Sequence, residues 1–171
     1  MRSPAVTGSS RPALYTPEQR LRRDRSRWTL VQGVLAPLQF LLFAASLVLV
    51  LRYLATGEGS SIASASIVLK VMALYAIMIT GCLWEKAVFG VWLFAPAFYW
   101  EDVFSMLVLA LHTAYLVALS TGVLGTRQQM LLALAAYATY LINATQFLLK
   151  LRAARLDMAR RGEAGATGAA A

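Results

Sequence analysis

Glu85, Glu101 and Asp102 are carboxylic acids set at the edges of long apolar runs, and Glu101 and Asp102 are adjacent in Trp100-Glu101-Asp102-Val103-Phe104-Ser105. An ionisable group in hydrocarbon costs roughly 2.5–3.5 kcal/mol on insertion scales, so such residues need a reason to be there. At about 100° per helical residue, Glu101, Ser105, Val108 and His112 share a narrow stripe, and Tyr115 lies close to it. Asp102 points about 100° away from Glu101, so the two carboxyls are expected to meet different partners. The plain alternative is that they sit among headgroups, solvated or paired with Lys86. His112 is the sole histidine. It lies roughly 16 Å up the same helix from Glu101, at mid-bilayer depth. There it can ligate a metal, or simply hydrogen-bond a polar side chain of another helix. One histidine excludes a bis-histidine haem site within the chain.

Two further polar rows have helical spacing. Thr139, Asn143, Gln146 and Lys150 fall on one face of the last apolar run, and Gln32 and Gln39 on one face of the first. Each is either interhelical hydrogen-bond glue, worth about 0.6 kcal/mol per bond in a bilayer, or the lining of a polar cavity. Lys70 lies inside the second run, where it either snorkels or pairs within the bundle.

The elements that position these residues are transmembrane helices. The chain has 171 residues, 59% of them hydrophobic and only 14% charged, where a soluble domain carries about 25% charged residues. A helix of about 20 residues spans a hydrocarbon core of roughly 30 Å. The sequence predicts spans at Trp28 to Leu54, Ile62 to Trp84, Phe94 to Leu119 and Met130 to Leu149. Pro37 falls inside the first, where a kink is tolerable if neighbours satisfy the freed carbonyl. Residues 1–27 read as a basic, mostly disordered arm, with a short helix after Thr16-Pro17-Glu18, a start signal. Residues 28–150 form the membrane domain. Residues 151–171 read as a basic, then Gly/Ala-rich tail, floppy after Arg160.

The net charge of +8 resides in the flanks, in Arg2, Arg11, Arg20, Arg22, Arg23, Arg25 and Arg27 before the first span and Lys150, Arg152, Arg155, Arg160 and Arg161 around the end of the last. Without an interleaved aromatic–basic motif this is topology and lipid contact, and nucleic-acid binding is not expected. The turn at Thr56-Gly57-Glu58-Gly59-Ser60-Ser61 has no basic residue. The positive-inside rule then puts both termini and the Glu85–Lys86 loop in the cytoplasm, with Trp84, Trp92, Tyr99 and Trp100 as an interfacial aromatic belt. Short connections favour an antiparallel up-down-up-down bundle. Cys82 is the only cysteine, which excludes an intrachain disulfide and a CxxC site. The first apolar run is too long, and its arm too extended, for a cleavable signal peptide. Physics alone thus yields a bundle with one carboxylate-rich, aromatic-walled end, and no reaction.

Several runs carry a resemblance: Leu14-Tyr15-Thr16-Pro17-Glu18-Gln19-Arg20, Trp28-Thr29-Leu30-Val31-Gln32-Gly33-Val34-Leu35-Ala36-Pro37-Leu38-Gln39-Phe40, Trp84-Glu85-Lys86-Ala87-Val88-Phe89-Gly90, Leu93-Phe94-Ala95-Pro96-Ala97-Phe98-Tyr99-Trp100-Glu101-Asp102, and Tyr140-Leu141-Ile142-Asn143-Ala144-Thr145-Gln146-Phe147. From roughly Leu14 to Leu156 the chain resembles the 3-vinyl (also called 2-vinyl) bacteriochlorophyllide hydratase family of chlorophototrophic bacteria. The resemblance implies addition of water to the C3 vinyl group of a chlorophyllide or bacteriochlorophyllide, giving a 1-hydroxyethyl group on the route to bacteriochlorophyll a. It implies a multi-pass protein of the bacterial inner membrane, cytoplasmic or intracytoplasmic.

Such an addition needs a proton donor near the vinyl, a positioned water with a base, and stabilisation of developing positive charge. It needs no cofactor of the protein's own, since the magnesium travels with the substrate. Burial among aromatics favours the neutral form of a carboxyl group, which keeps a proton at hand near neutral pH. Glu101 is the expected acid, with Asp102 or Glu85 holding the water. Phe98, Tyr99 and Trp100 are expected against the ring face, along with Phe94. Lys86, Lys150 or Arg152 can meet the propionate. Asn143, Gln146 and Gln39 are candidate substrate contacts, and His112 a candidate axial ligand to the substrate's magnesium. Candidate partners are the pigment, the bilayer, other pigment-biosynthesis enzymes and a second copy of the chain. The competing classes are a carrier that binds chlorophyllide without changing it and a small scaffold subunit.

Overall fold

The computed structural model describes residues 14–169, so the expectation of a disordered arm lies, for residues 1–13, outside them. Five helices follow one another: α1 Pro17–Arg25, α2 Arg27–Thr56, α3 Ser60–Phe89, α4 Tyr99–Thr121 and α5 Thr126–Ala169. There is no strand among the described residues. The start signal at Thr16 forms a capping box: Gln19 N–H donates to Thr16 Oγ1 (3.2 Å) and Thr16 N–H to Gln19 Oε1 (3.0 Å).

Four helices are long and apolar enough to cross a membrane: Arg27–Thr56, Ser60–Phe89, Tyr99–Thr121 and Thr126–Leu156. Their outward faces carry Leu30, Leu41, Val48, Leu69, Met72, Ile79, Val117, Leu131 and Leu148, all exposed. So much uncovered apolar surface suits lipid contact, and the chain is a multi-pass membrane protein. α2 continues through Pro37.

Several predicted boundaries move. The third span begins at Tyr99, not Phe94, because the chain cannot be helical just before it. Phe94 has φ 59°, in the left-handed region, and Pro96 disfavours the helical conformation at Ala95. α3 in turn extends to Phe89, where Gly90 (φ 81°) ends it by donating its N–H to Lys86 O at 3.1 Å. α5 runs on to Ala169, through the residues after Arg160 whose composition reads as a floppy tail. Alanine is the strongest helix former, which helps a helix already started to propagate.

α2 packs chiefly on α3, and α4 on α5. Side-chain bonds between α2 and α3 run in opposite order along the two helices: Trp84 Nε1–H donates to Thr29 Oγ1 (3.0 Å), Gln32 Nε2–H to Thr80 Oγ1 (2.7 Å), and Ser46 Oγ meets Ser66 Oγ (2.7 Å). The core holds Phe43, Val50, Ile67, Val71, Leu74, Val108, Tyr115, Met130 and Tyr137. A polar layer crosses its middle. Ser46 Oγ also meets Tyr137 Oη (2.6 Å), and Lys70 meets His112 while lying 4.3 Å from the Tyr140 ring centroid. At the other end a second cluster of Tyr15, Val88 and Phe98, with Trp84, Phe89 and Phe147, pins α1 to α3. Burial there pushes the Tyr15 hydroxyl up from its ordinary value, against the opposing pull of Arg23.

Candidate active site

The carboxyl groups converge where α3 ends, the 90–98 loop turns and α4 begins. Glu85 sits one turn before the end of α3, and Asp102 in the first turn of α4. Each accepts from the loop: Phe94 N–H donates to Asp102 Oδ2 at 2.9 Å, and Ala95 N–H to Glu85 Oε2 at 3.3 Å. Both residues are buried, at 5% exposure. The pair holds consecutive backbone amides and thereby fixes Phe94 in its left-handed conformation.

Glu101 faces elsewhere, as its 100° offset from Asp102 implies. Lys150 Nζ of α5 donates to Glu101 Oε2 at 2.6 Å, with the Lys150 end 28% and the Glu101 end 10% exposed. Lys150 Nζ also lies 5.0 Å from the Phe98 ring centroid. The pairing with Lys86 that the sequence allowed is not formed. Lys86 Nζ donates to Gly90 O at 2.9 Å and sits 5.5 Å from the Trp92 ring centroid, at the surface. The site therefore holds two kinds of carboxyl, a pair bound to consecutive loop amides and one paired with Lys150.

The aromatics divide. Phe98 is 2% exposed, stacked on Phe147 (5.8 Å) and tilted against Tyr15 (6.3 Å), so it is a core anchor rather than a free face. Trp92, Phe94, Tyr99 and Trp100 are exposed on the loop and the start of α4. Tyr99 makes ring contacts with Phe94 (5.7 Å) and Trp100 (5.5 Å).

Inward of Glu101, Asn143 Nδ2–H donates to Ser105 Oγ at 2.8 Å, an interhelical hydrogen bond of the kind the polar row on α5 allowed. Gln146 and Gln39 belong to the same interior, and Gln39 is buried. His112 does not join the carboxyls. It is 1% exposed; its Nδ1–H donates to Val108 O at 2.7 Å, and Nε2 accepts from Lys70. With both ring nitrogens engaged, no lone pair remains for a magnesium ion. Among the described residues, no three of His, Cys, Asp and Glu gather as a metal-ligand set. Sequence reasoning missed the loop amides at Phe94 and Ala95, and the partnering of Lys150 with Glu101. Lys150's place on the Asn143–Gln146 face was the available signal.

A family model described as 2-vinyl bacteriochlorophyllide hydratase (BCHF) matches residues 15–153. The chain is 70% identical over 145 residues to 2-vinyl bacteriochlorophyllide hydratase of Cereibacter sphaeroides, covering 85% of this chain and 90% of that one. It is 65% identical over 150 residues to the enzyme of the same name from Rhodobacter capsulatus, covering 88% and 87%. No solved structure matches it. The matched region runs from Tyr15 into the basic part of α5 and encloses every carboxyl and carboxamide described above, so the chain belongs to the 2-vinyl bacteriochlorophyllide hydratase family.

Proposed function

We propose that the protein hydrates the C3 vinyl group of chlorophyllide a or a bacteriochlorophyllide to a 1-hydroxyethyl group, as a hydro-lyase of bacteriochlorophyll synthesis. The single observation that carries the chemistry is the buried Glu85 and Asp102 carboxyls on consecutive loop amides, near the Glu101–Lys150 ion pair; two carboxyls buried so close share one proton. Protonation of the terminal vinyl carbon leaves cationic character on the inner carbon, which the macrocycle spreads by conjugation. Water attacks that carbon and loses a proton to a base, so one water is added and no electrons are exchanged. Alone, the sequence favours Glu101 as the acid. The contacts support the opposite allocation: the pair that holds a proton, Glu85 and Asp102, is the donor, and Glu101 receives the proton from water. Lys150 Nζ holds the Glu101 carboxyl in place by a 2.6 Å contact. The oriented carboxylates also stabilise the developing cation.

The macrocycle docks against the exposed rings of Trp92, Phe94, Tyr99 and Trp100, with Lys86 or Arg152 toward its propionate. The protein needs no cofactor, and magnesium arrives with the pigment. The spans form an antiparallel bundle with both termini in the cytoplasm, in the cytoplasmic or intracytoplasmic photosynthetic membrane. The opposed order of the α2–α3 contacts and the basic flanks support this.

The test is to express the chain in a host lacking the pathway, supply 3-vinyl chlorophyllide, and follow pigment mass. A gain of one water is expected. Bound but unchanged pigment would instead indicate a carrier, and neither binding nor turnover a scaffold.

A further inference from the structure

Three carboxamides lie in the bundle interior, inward of the Glu101–Lys150 pair. Gln39 of α2 is 2% exposed, and neither its Nε2 nor its Oε1 has a partner among the described residues. Asn143 spends its Nδ2–H on Ser105, and its Oδ1 has none; nor does Gln146 Oε1. The helices bring Gln39 and Asn143 to one depth, with Gln146 nearly one turn further toward Lys150. Phe43 touches Tyr137 (5.4 Å) and Tyr140 (5.0 Å), and Ser46 bonds Tyr137, so α2 descends as α5 climbs. Gln39 is one turn beyond Phe43, and Asn143 nearly one turn beyond Tyr140, in the matching directions.

A buried polar atom left unpaired costs about 1–3 kcal/mol, and natural interiors almost always satisfy such atoms. Whatever satisfies this group must donate to three carbonyl oxygens and accept from one NH2. Keto and ester oxygens at a macrocycle's edge only accept. Water does both, and since one water donates only two hydrogen bonds, three carbonyls call for at least two waters. Hydrocarbon supplies almost none, yet the proposed reaction consumes one per turnover.

We infer that Gln39, Asn143 and Gln146 form an internal water site that holds the second substrate of the hydration. The inference rests on the hydratase reading for its purpose, though not for its occupancy. Ser105, which fixes Asn143, is one turn from Glu101 on the same face of α4, about 6 Å along the axis. Water in the site is thereby one relay step from the carboxylate that accepts its proton.

The experiment uses the full chain in lipid nanodiscs. X-ray hydroxyl-radical footprinting generates radicals from bound water and marks the side chains beside it. Phe43 and Tyr140, both buried, lie about one helical turn from Gln39 and Asn143, while Phe98 is buried in the other hydrophobic cluster. Marking of Phe43 and Tyr140 but not Phe98 is expected, falling about fivefold or more in Gln39→Leu as water loses its partners. Unmarked Phe43 and Tyr140 in the unaltered protein, or marking indifferent to Gln39→Leu, overturns the water site. In parallel, Gln39→Leu is expected to lower hydration about 10- to 100-fold by misplacing a reactant, with pigment affinity within about twofold. Weakened pigment binding with unchanged turnover of bound pigment overturns it too, by making Gln39 a macrocycle contact. Gln146→Met, of similar shape, serves where Gln39→Leu does not fold. Should the unaltered protein bind pigment without hydrating it, the hydratase reading fails, and footprinting still decides whether water is held.

Discussion

A buried carboxyl group is tolerable when it shares a proton or faces a cation, and adjacent residues here take one course each. Asp102 lies with Glu85 on consecutive loop amides, where one proton can serve both, while Glu101 meets Lys150. Asp102→Asn keeps an oxygen to accept from Phe94 N–H but cannot deliver a proton. Hydration, measured as hydrated pigment formed by membranes containing the folded variant, should fall about 10²- to 10⁴-fold, the range of general acid catalysis. Glu101→Gln removes the accepting anion and is expected to fall by a similar factor, at least about 10². Near-normal turnover in Glu101→Gln would remove Glu101 from the chemistry and leave Lys150 a purely structural partner.

At the level of elements, the 90–98 loop is held at its ends by different means. Gly90 closes α3 with φ 81°, and a Cβ there would meet nothing within 4 Å. Gly90→Ala therefore costs backbone strain alone, about 1–2 kcal/mol. The thermal midpoint in detergent micelles should drop by about 2–8 °C; an unchanged midpoint would mean the loop relaxes freely. Phe94 carries the same kind of strain, about 1–3 kcal/mol, with a hydrogen bond to Asp102 to offset it. The strained residue thus lies against a proposed proton donor.

Across the whole molecule, polar contacts sit in layers between apolar ones. The carboxyl layer is at one end, the carboxamide layer is inward of it, and Lys70–His112 with Ser46, Ser66 and Tyr137 lies deeper. The last layer joins all four spans and touches no residue of the proposed chemistry. Lys70→Met should lower stability by about 1–3 kcal/mol by leaving His112 Nε2 unpaired. The double variant Lys70→Met/His112→Leu should regain most of it, since a buried polar pair is often replaceable by packed apolar groups. Both should bind pigment with an unchanged absorption spectrum and hydrate it at the ordinary rate. A shifted pigment band on altering His112 would instead make it a magnesium ligand.

Helix number and type were legible because each run of apolar residues is long enough to span a bilayer whatever its neighbours do. The stripe Glu101, Ser105, Val108, His112 and Tyr115 was legible because helical periodicity alone puts residues on one face, and all five are buried. Partners were not. Lys150 is 49 residues from Glu101, and Lys70 is 42 from His112; which cation meets which group depends on how helices rotate and slide against one another. The same holds for the start of α4, set by a left-handed Phe94 that Asp102 holds from eight residues away. Periodicity is a property of one helix, so the chain alone determined the spans and their polar faces. The pairing of Glu85 with Asp102 on the loop, the ion pair and the unpaired carboxamides are properties of two or more helices together, and only the packed bundle decided them.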